Sequence, residues 1–217
     1  LFNNLLAFRW NPLGFEDQIR FGVQHKLYES NNPLFKDNFV FAGSAPRLNP
    51  AFVKLGPSFE IQPVSFFNLR LGAEAVSFFS TFGFLQSFAS PVADYSDTTL
   101  ADRRAAKLNY STAGGHVMIE PAVQVKLGPI VLRDKLQLEY WRMGLSPGDR
   151  VFYDVSLDTV LSKNGWVVAN DLDVLFMHDF KSWTGTFRGA RFIGGARYTY
   201  VKPFYADGDF APGDLRT

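Results

Sequence analysis

Nine stretches of this chain alternate apolar and polar residues, and a period of two marks strands with two unlike faces. Gln18-Ile19-Arg20-Phe21-Gly22-Val23-Gln24 is the clearest, followed by Phe67-Asn68-Leu69-Arg70-Leu71-Gly72-Ala73-Glu74-Ala75 and Val117-Met118-Ile119-Glu120-Pro121-Ala122-Val123-Gln124-Val125-Lys126. The pattern predicts strands over about 2–10, 15–28, 51–62, 66–79, 116–127, 135–143, 151–161, 166–178 and 187–201. Ile19, Phe21, Val23, Val53, Leu55, Phe59, Leu136, Leu138, Leu172 and Val174 fall on the apolar faces, with Asn170 interrupting one of them. The opposite faces carry charge at mid-strand. In a soluble sheet the face opposite the charges would be the core. An apolar face this wide also suits contact with lipid.

Connections between the predicted strands alternate in length. Turns near 11–14, 62–65, 128–134 and 162–165 are short, the last with an Asn-Gly pair that favours a type I′ hairpin. Connections at 29–49, 81–113, 145–150 and 179–186 are mostly longer. The first holds a short apolar piece, Phe39-Val40-Phe41. The 81–113 connection is long for a compact domain and is expected to be functional or disordered. Lys54-Leu55-Gly56-Pro57 and Lys126-Leu127-Gly128-Pro129 share a string and read as two turns. Residues 1–217 read as one domain.

Composition narrows the class. A net charge of +1 gives no basic field for nucleic acid. The absence of Cys removes disulfides and thiolate metal sites. Apolar residues make up 47% of the chain, yet no run approaches the roughly 18 apolar residues of a spanning helix. A membrane protein of this composition spans with strands, every backbone group paired. Strands of about 9–14 residues match the roughly 9–11 that cross a bilayer when tilted. The chain begins at Leu1 and reads as a mature or partial chain without a visible secretion signal. Aromatics reach 16%, and Trp10, Trp166, Tyr153, Tyr198 and Tyr200 read as interfacial girdle residues.

The candidate chemistry is on the charged faces. Arg9, Arg20, Lys26, Lys54, Arg70, Lys126, Arg191 and Arg197 stand against Glu60, Glu74, Glu120, Glu139, Asp154, Asp158, Asp171 and Asp173, eight of each sign. As the lining of a lumen they predict a near-neutral, salt-bridged interior, with Asp154, Asp158, Asp171 and Asp173 as an acidic wall facing Arg191 and Arg20. His25, His116 and His178 are the histidines, and His116 shares a face with Glu120 near Ser111. No nucleophile motif accompanies them, so no catalytic residue is assigned. Asp207-Gly208-Asp209 and Asp214 lack a full Ca²⁺ loop pattern and read as an Asp/Gly turn; no metal or cofactor is expected.

Charged inner faces, apolar outer faces and alternating loop lengths together resemble the Gram-negative outer-membrane β-barrel proteins. The resemblance is architectural and covers the whole chain. It implies an all-β, antiparallel up-and-down transmembrane barrel of about ten strands (range about 8–12) in the outer membrane. Its role would be structural, in assembly, or as a small-solute pore. The bilayer would be its main partner, with lipopolysaccharide or an envelope protein meeting the 81–113 loop at the cell surface and the 162–165 turn on the periplasmic side. Two features depart from that class: nine strands rather than an even number, and the ending Asp214-Leu215-Arg216-Thr217 without a terminal aromatic. A tenth strand within 37–44 or 202–217, or an incomplete chain, would account for the odd count. Two other classes remain open: a membrane-embedded enzyme acting on lipid, and a soluble barrel that carries an apolar ligand inside.

Overall fold

The computed structural model describes residues 1–9, 14–179 and 191–214; the side chains of Arg9, Gly14 and Arg191 lie outside the description. The protein is all-β and antiparallel. Its strands are β1 (Phe2–Arg9), β2 (Gly14–His25), β3 (Phe39–Ser44), β4 (Arg47–Asn49), β5 (Phe52–Leu55), β6 (Pro57–Val64), β7 (Phe67–Phe79), β8 (Ser87–Phe88), β9 (Ser111–Leu127), β10 (Ile130–Met143), β11 (Val151–Asp154), β12 (Thr159–Ser162), β13 (Asn164–Asp179) and β14 (Arg191–Pro203).

Two of the long strands are interrupted. Ala45-Pro46 separates β3 from β4, because proline has no N–H for the ladder. Gly56 separates β5 from β6; an added Cβ there would sit 1.8 Å from the Ala73 carbonyl oxygen. Counting each interrupted pair as one, nine stretches among the described residues lie side by side in chain order, each antiparallel to the next. This arrangement is compatible with the wall of a barrel. Among the described residues no strand pairs with the outer edge of β1 or of β14. Both edges run in the same direction, so a direct seam between them would be parallel.

The count of nine matches the periodicity for a reason the periodicity did not contain. The piece around Phe39-Val40-Phe41 is a true strand, β3, paired with β2 and β6. The predicted strand at 151–161 is not in the large sheet. It splits into β11 and β12, which form a small sheet with β8. The hairpin between β9 and β10 turns at Gly128-Pro129 alone, so Ile130–Asp134 is strand rather than turn. The two Lys-Leu-Gly-Pro strings therefore do different things. The second is a hairpin turn, and the first interrupts a strand that continues.

Loop lengths do not sort onto opposite rims. Residues 50–51, 80–110 and 144–163 lie at one end, here the upper rim. Residues 26–38, 65–66 and 128–129 lie at the other. Lys163 therefore shares the upper rim with the 81–113 segment, against the expectation that the two face opposite sides.

That upper-rim segment is folded. It contains β8 and one α-helix, α1 (Asp97–Ala105), which starts where the Ser96 hydroxyl accepts from the Thr99 N–H. Hydrogen bonds from Thr99 and Ser96 hold the exposed Asp94 carboxyl below its ordinary range. With β11 and β12 the segment caps the sheet over an apolar core of Phe52, Val76, Phe78, Leu85, Trp141 and Phe152.

The inner face is narrow. Lys54 on β5 reaches over the Trp141 ring on β10, 4.9 Å from its centroid, although β7 and β9 lie between their strands. Glycines make the inward space that long neighbours fill. The Phe41 ring lies over the paired Gly22 and Gly43, and the Met118 side chain over Gly72. At Gly22 a Cβ would stand 2.4 Å from the Ala42 oxygen and 2.6 Å from the Gly43 Cα, whereas at Gly72 it would meet the movable end of Met118. Gly22→Ala is therefore expected to cost about 1–3 kcal/mol of unfolding free energy, and Gly72→Ala less than half of that. Urea titrations compare them, and equal costs would contradict the fixed backbone approach at Gly22.

Candidate functional site

The inward charges are brought together by cross-strand registry, in rungs that run across the sheet. On the lower half Glu60, Arg70 and Glu120 are direct neighbours on β6, β7 and β9. Arg70 lies 3.2 Å from Glu120, and Arg20 reaches Glu60 at 2.6 Å while stacking on the Phe41 ring. A second rung joins Arg133, Asp173 and Arg197 on β10, β13 and β14. Asp173 is buried and receives Arg133 at 2.5 Å and Arg197 at 2.6 Å. In a third rung, Asp171 takes the Thr199 hydroxyl at 2.7 Å and lies 3.5 Å from Lys135. Part of the space between these rungs is a cavity of about 260 Å³ lined by Glu60, Asn68, Arg70, Glu120, Arg133 and Lys135, among others.

Above the cavity the interior closes on a buried cluster. Glu74 and His116 are direct neighbours on β7 and β9, and His116 faces Trp141 on β10. His116 Nε2 is 2.8 Å from the Glu74 carboxylate. Its ring stacks on Trp141 at 4.2 Å between centroids and 8° between planes. Trp141 Nε1 donates to Glu139 at 2.9 Å, and Glu139 lies 3.5 Å from His116 Nδ1, a close contact without an aligned hydrogen bond. Arg47 approaches the other Glu74 oxygen at 3.8 Å. His116, Glu74, Glu139 and Lys54 are all buried. Two carboxylates, an imidazole and two cations thus fill the section beneath the apolar cap.

The predicted lining divides on this geometry. Arg20, Lys54, Glu60, Arg70, Glu74, Glu120, Glu139, Asp171, Asp173 and Arg197 lie on the inner face, in the arrangement just described. Four positions stand outside that arrangement, Lys126 although its register keeps it on the inner face. Asp154 ends β11 in the cap, where its carboxylate accepts the Ser156 and Leu157 N–H groups at 2.9 Å. Asp158 sits in the following turn at φ 51° and accepts the Tyr153 hydroxyl at 2.7 Å. Burial, helped by that bond, pushes the Tyr153 phenol above its ordinary range. Lys26 lies beyond the end of β2, exposed and paired with Glu29. Lys126 is exposed beside the lower hairpin. The side chains of Arg9 and Arg191 lie outside the described residues, as does Trp10. The acidic wall is accordingly Asp171 and Asp173 alone.

Sequence reasoning missed Arg47, Arg133 and Lys135. Arg47 sat in a supposed loop. Arg133 and Lys135 were hidden by the run Ile130-Val131-Leu132, which breaks strict alternation before it resumes. His116 does not approach Ser111; Ser111 bonds Ser80 at the upper rim instead. Asp209 and Asp214 each accept a backbone N–H from three residues upstream, as turn caps do. Comparison with family models, curated proteins and solved structures finds no match to this chain.

The cluster behaves as one unit, because removing its centre leaves two buried carboxylates with too few partners. His116→Ala is expected to cost about 3–5 kcal/mol. Adding Glu74→Gln to that variant should recover part of the loss, a coupling of roughly 0.5–3 kcal/mol in a double-mutant cycle. Strictly additive costs in denaturant titrations would show that the imidazole and carboxylate act independently.

Proposed function

We propose that this chain forms the wall of a transmembrane β-barrel in the outer membrane of a Gram-negative cell, with its lumen held shut by side chains. One observation carries the reading: the sheet is inverted relative to a water-soluble fold. Its inner face buries Lys54, Glu74, Glu120, Glu139 and Asp173. Its outer face exposes aliphatic and aromatic side chains on strand after strand, among them Val23 at 75%, Leu55 at 53%, Val123 at 50% and Phe176 at 45%. In water such a surface would be a large aggregation liability. Against hydrocarbon it is the favourable solvent contact, and the charges inside satisfy one another. A soluble barrel carrying an apolar ligand requires the opposite orientation, so this arrangement counts against that alternative.

The lumen reading favours a structural or assembly role, or at most slow passage of small polar solutes. Ion-paired rungs occupy the lower half, the histidine cluster fills the middle, and the apolar cap covers the upper rim. In planar bilayers the wild-type protein should show no large, stable conductance steps. Such steps would overturn the closed-lumen reading and favour a pore.

The lipid contact has its own test. Leu71 and Ile119 are neighbours on the outer face of β7 and β9, both exposed. Leu71→Arg is expected to cost roughly 2–4 kcal/mol when folding is measured in lipid vesicles. Gln124→Arg, on the opposite face and near the lower rim, should cost much less. Recovery of the folded wild-type chain in buffer without detergent would refute the membrane reading.

A further inference from the structure

The outer face carries two polar pairs that the lipid reading leaves unexplained, Asn4–Asp17 on β1 and β2 and Asp134–Asn170 on β10 and β13, and the second is flanked by exposed tyrosines. Asp134 is the fifth residue of β10 and points outward, exposed. Asn170, the seventh of sixteen residues in β13, points outward on the adjoining strand and donates its amide to the Asp134 Oδ1 at 2.6 Å. Its remaining contact, to the Lys135 carbonyl at 3.4 Å, is weak. Registry places Val123 and Leu172 beside Asp134, and Leu136 and Tyr200 beside Asn170. Tyr198 follows on β14, next to Leu172, and both tyrosines are exposed. A carboxylate facing hydrocarbon is expensive with a single amide as its partner, and charges at such positions mark function or contact.

We propose that this patch of β10, β13 and β14 is the contact face of a symmetric dimer, each copy covering the Asp134–Asn170 pair of the other. The proposal rests on the membrane reading. The occupant follows from the patch itself, which carries one strong acceptor, Asp134, beside an amide and two phenol donors, Asn170, Tyr198 and Tyr200. Two copies inserted the same way up are related by a two-fold axis along the membrane normal. That symmetry holds equal residues at equal depth and pairs one copy's i with the other's j. The Asp134 carboxylate of one copy thereby meets the donors of its partner, and the reverse. Interchain hydrogen bonds from Asn and carboxyl side chains favour association in lipid, where water does not compete. The aliphatic side chains Leu132, Leu136 and Leu172 supply the surrounding apolar contact.

The chain has no cysteine, so single cysteines can be placed as reporters. The full chain is reconstituted in phosphatidylcholine vesicles, floated on a density gradient, and treated with a short bismaleimide. Leu136→Cys, inside the patch, should give a cross-linked dimer. Phe59→Cys, on the outer face of β6 far from the patch, should not. Adding Asp134→Leu to Leu136→Cys should lower the cross-linked fraction at least tenfold while the protein still floats and keeps its strand circular dichroism. Leucine suits a lipid-facing site, so this variant is expected to fold. A chain that floats but stays monomeric, equal cross-linking at Phe59→Cys, or an unchanged dimer in Asp134→Leu would overturn the dimer alone. So would cross-linking in native membranes only to a different protein. A chain that does not float would overturn the membrane reading and this proposal together.

Discussion

Charge held inside the sheet is the constraint on which the rest of this structure depends. Ionised side chains withdrawn from water need partners of opposite sign and satisfied hydrogen bonds. Here the partners stand on neighbouring strands, so pairing and strand register are one requirement. Arg133–Asp173–Arg197 and Glu60–Arg70–Glu120 are straight rungs across three strands. A slip of one residue would turn each charge to the apolar side and strand its partner. The ion pairs contribute less as net stability than as specification, because most alternative registers leave a buried carboxylate unmatched.

The same requirement shapes the interior along its length. Where long cations and carboxylates must meet, the wall provides glycine, as at Gly22, Gly43 and Gly72, and neighbouring Phe41 and Met118 fill what remains. Higher up, the His116 ring lies between two carboxylates and against Trp141, so the polar network ends on an aromatic surface. That surface continues into the cap through Phe152, whose ring meets Trp141 edge-on at 5.6 Å. Polar and apolar packing thus join at Trp141, which bonds Glu139 by its N–H and the cap by its ring. The outer face follows as a consequence. With the charges turned inward, period two leaves the aliphatic residues outside, and the Asn4–Asp17 and Asp134–Asn170 pairs depart from that rule.

Much of this was legible in the chain alone. Alternation found the all-β class, the two faces of most long strands, and ten inward charges that the structure gathers on the inner face. Alternation is a local signal with a fixed physical origin, since successive side chains on a strand point to opposite sides. It failed where another local signal competed. Pro46 and the Asn-rich stretch before Phe39 disguised β3 as a loop and hid Arg47. The apolar run at 130–132 stretched a two-residue turn and hid Arg133. Alternation at 151–161 was real, but those residues serve a different sheet.

Tertiary structure alone decided which charges meet and where each loop lies. Nothing local distinguishes Asp154 from Asp171: both alternate with apolar neighbours, yet one caps a turn above the sheet and the other joins a rung inside it. The neighbours of His116 come from residues 42 positions before it and 23 and 25 after it, through the register of three strands. The sequence by itself determined that each strand would have a charged face and an apolar one, because that depends on residue spacing. The pairing of those charges, and the closing of the upper rim by a small sheet and a helix, came from contacts distant in sequence. They depend on how nine strands curl together, which no single strand encodes.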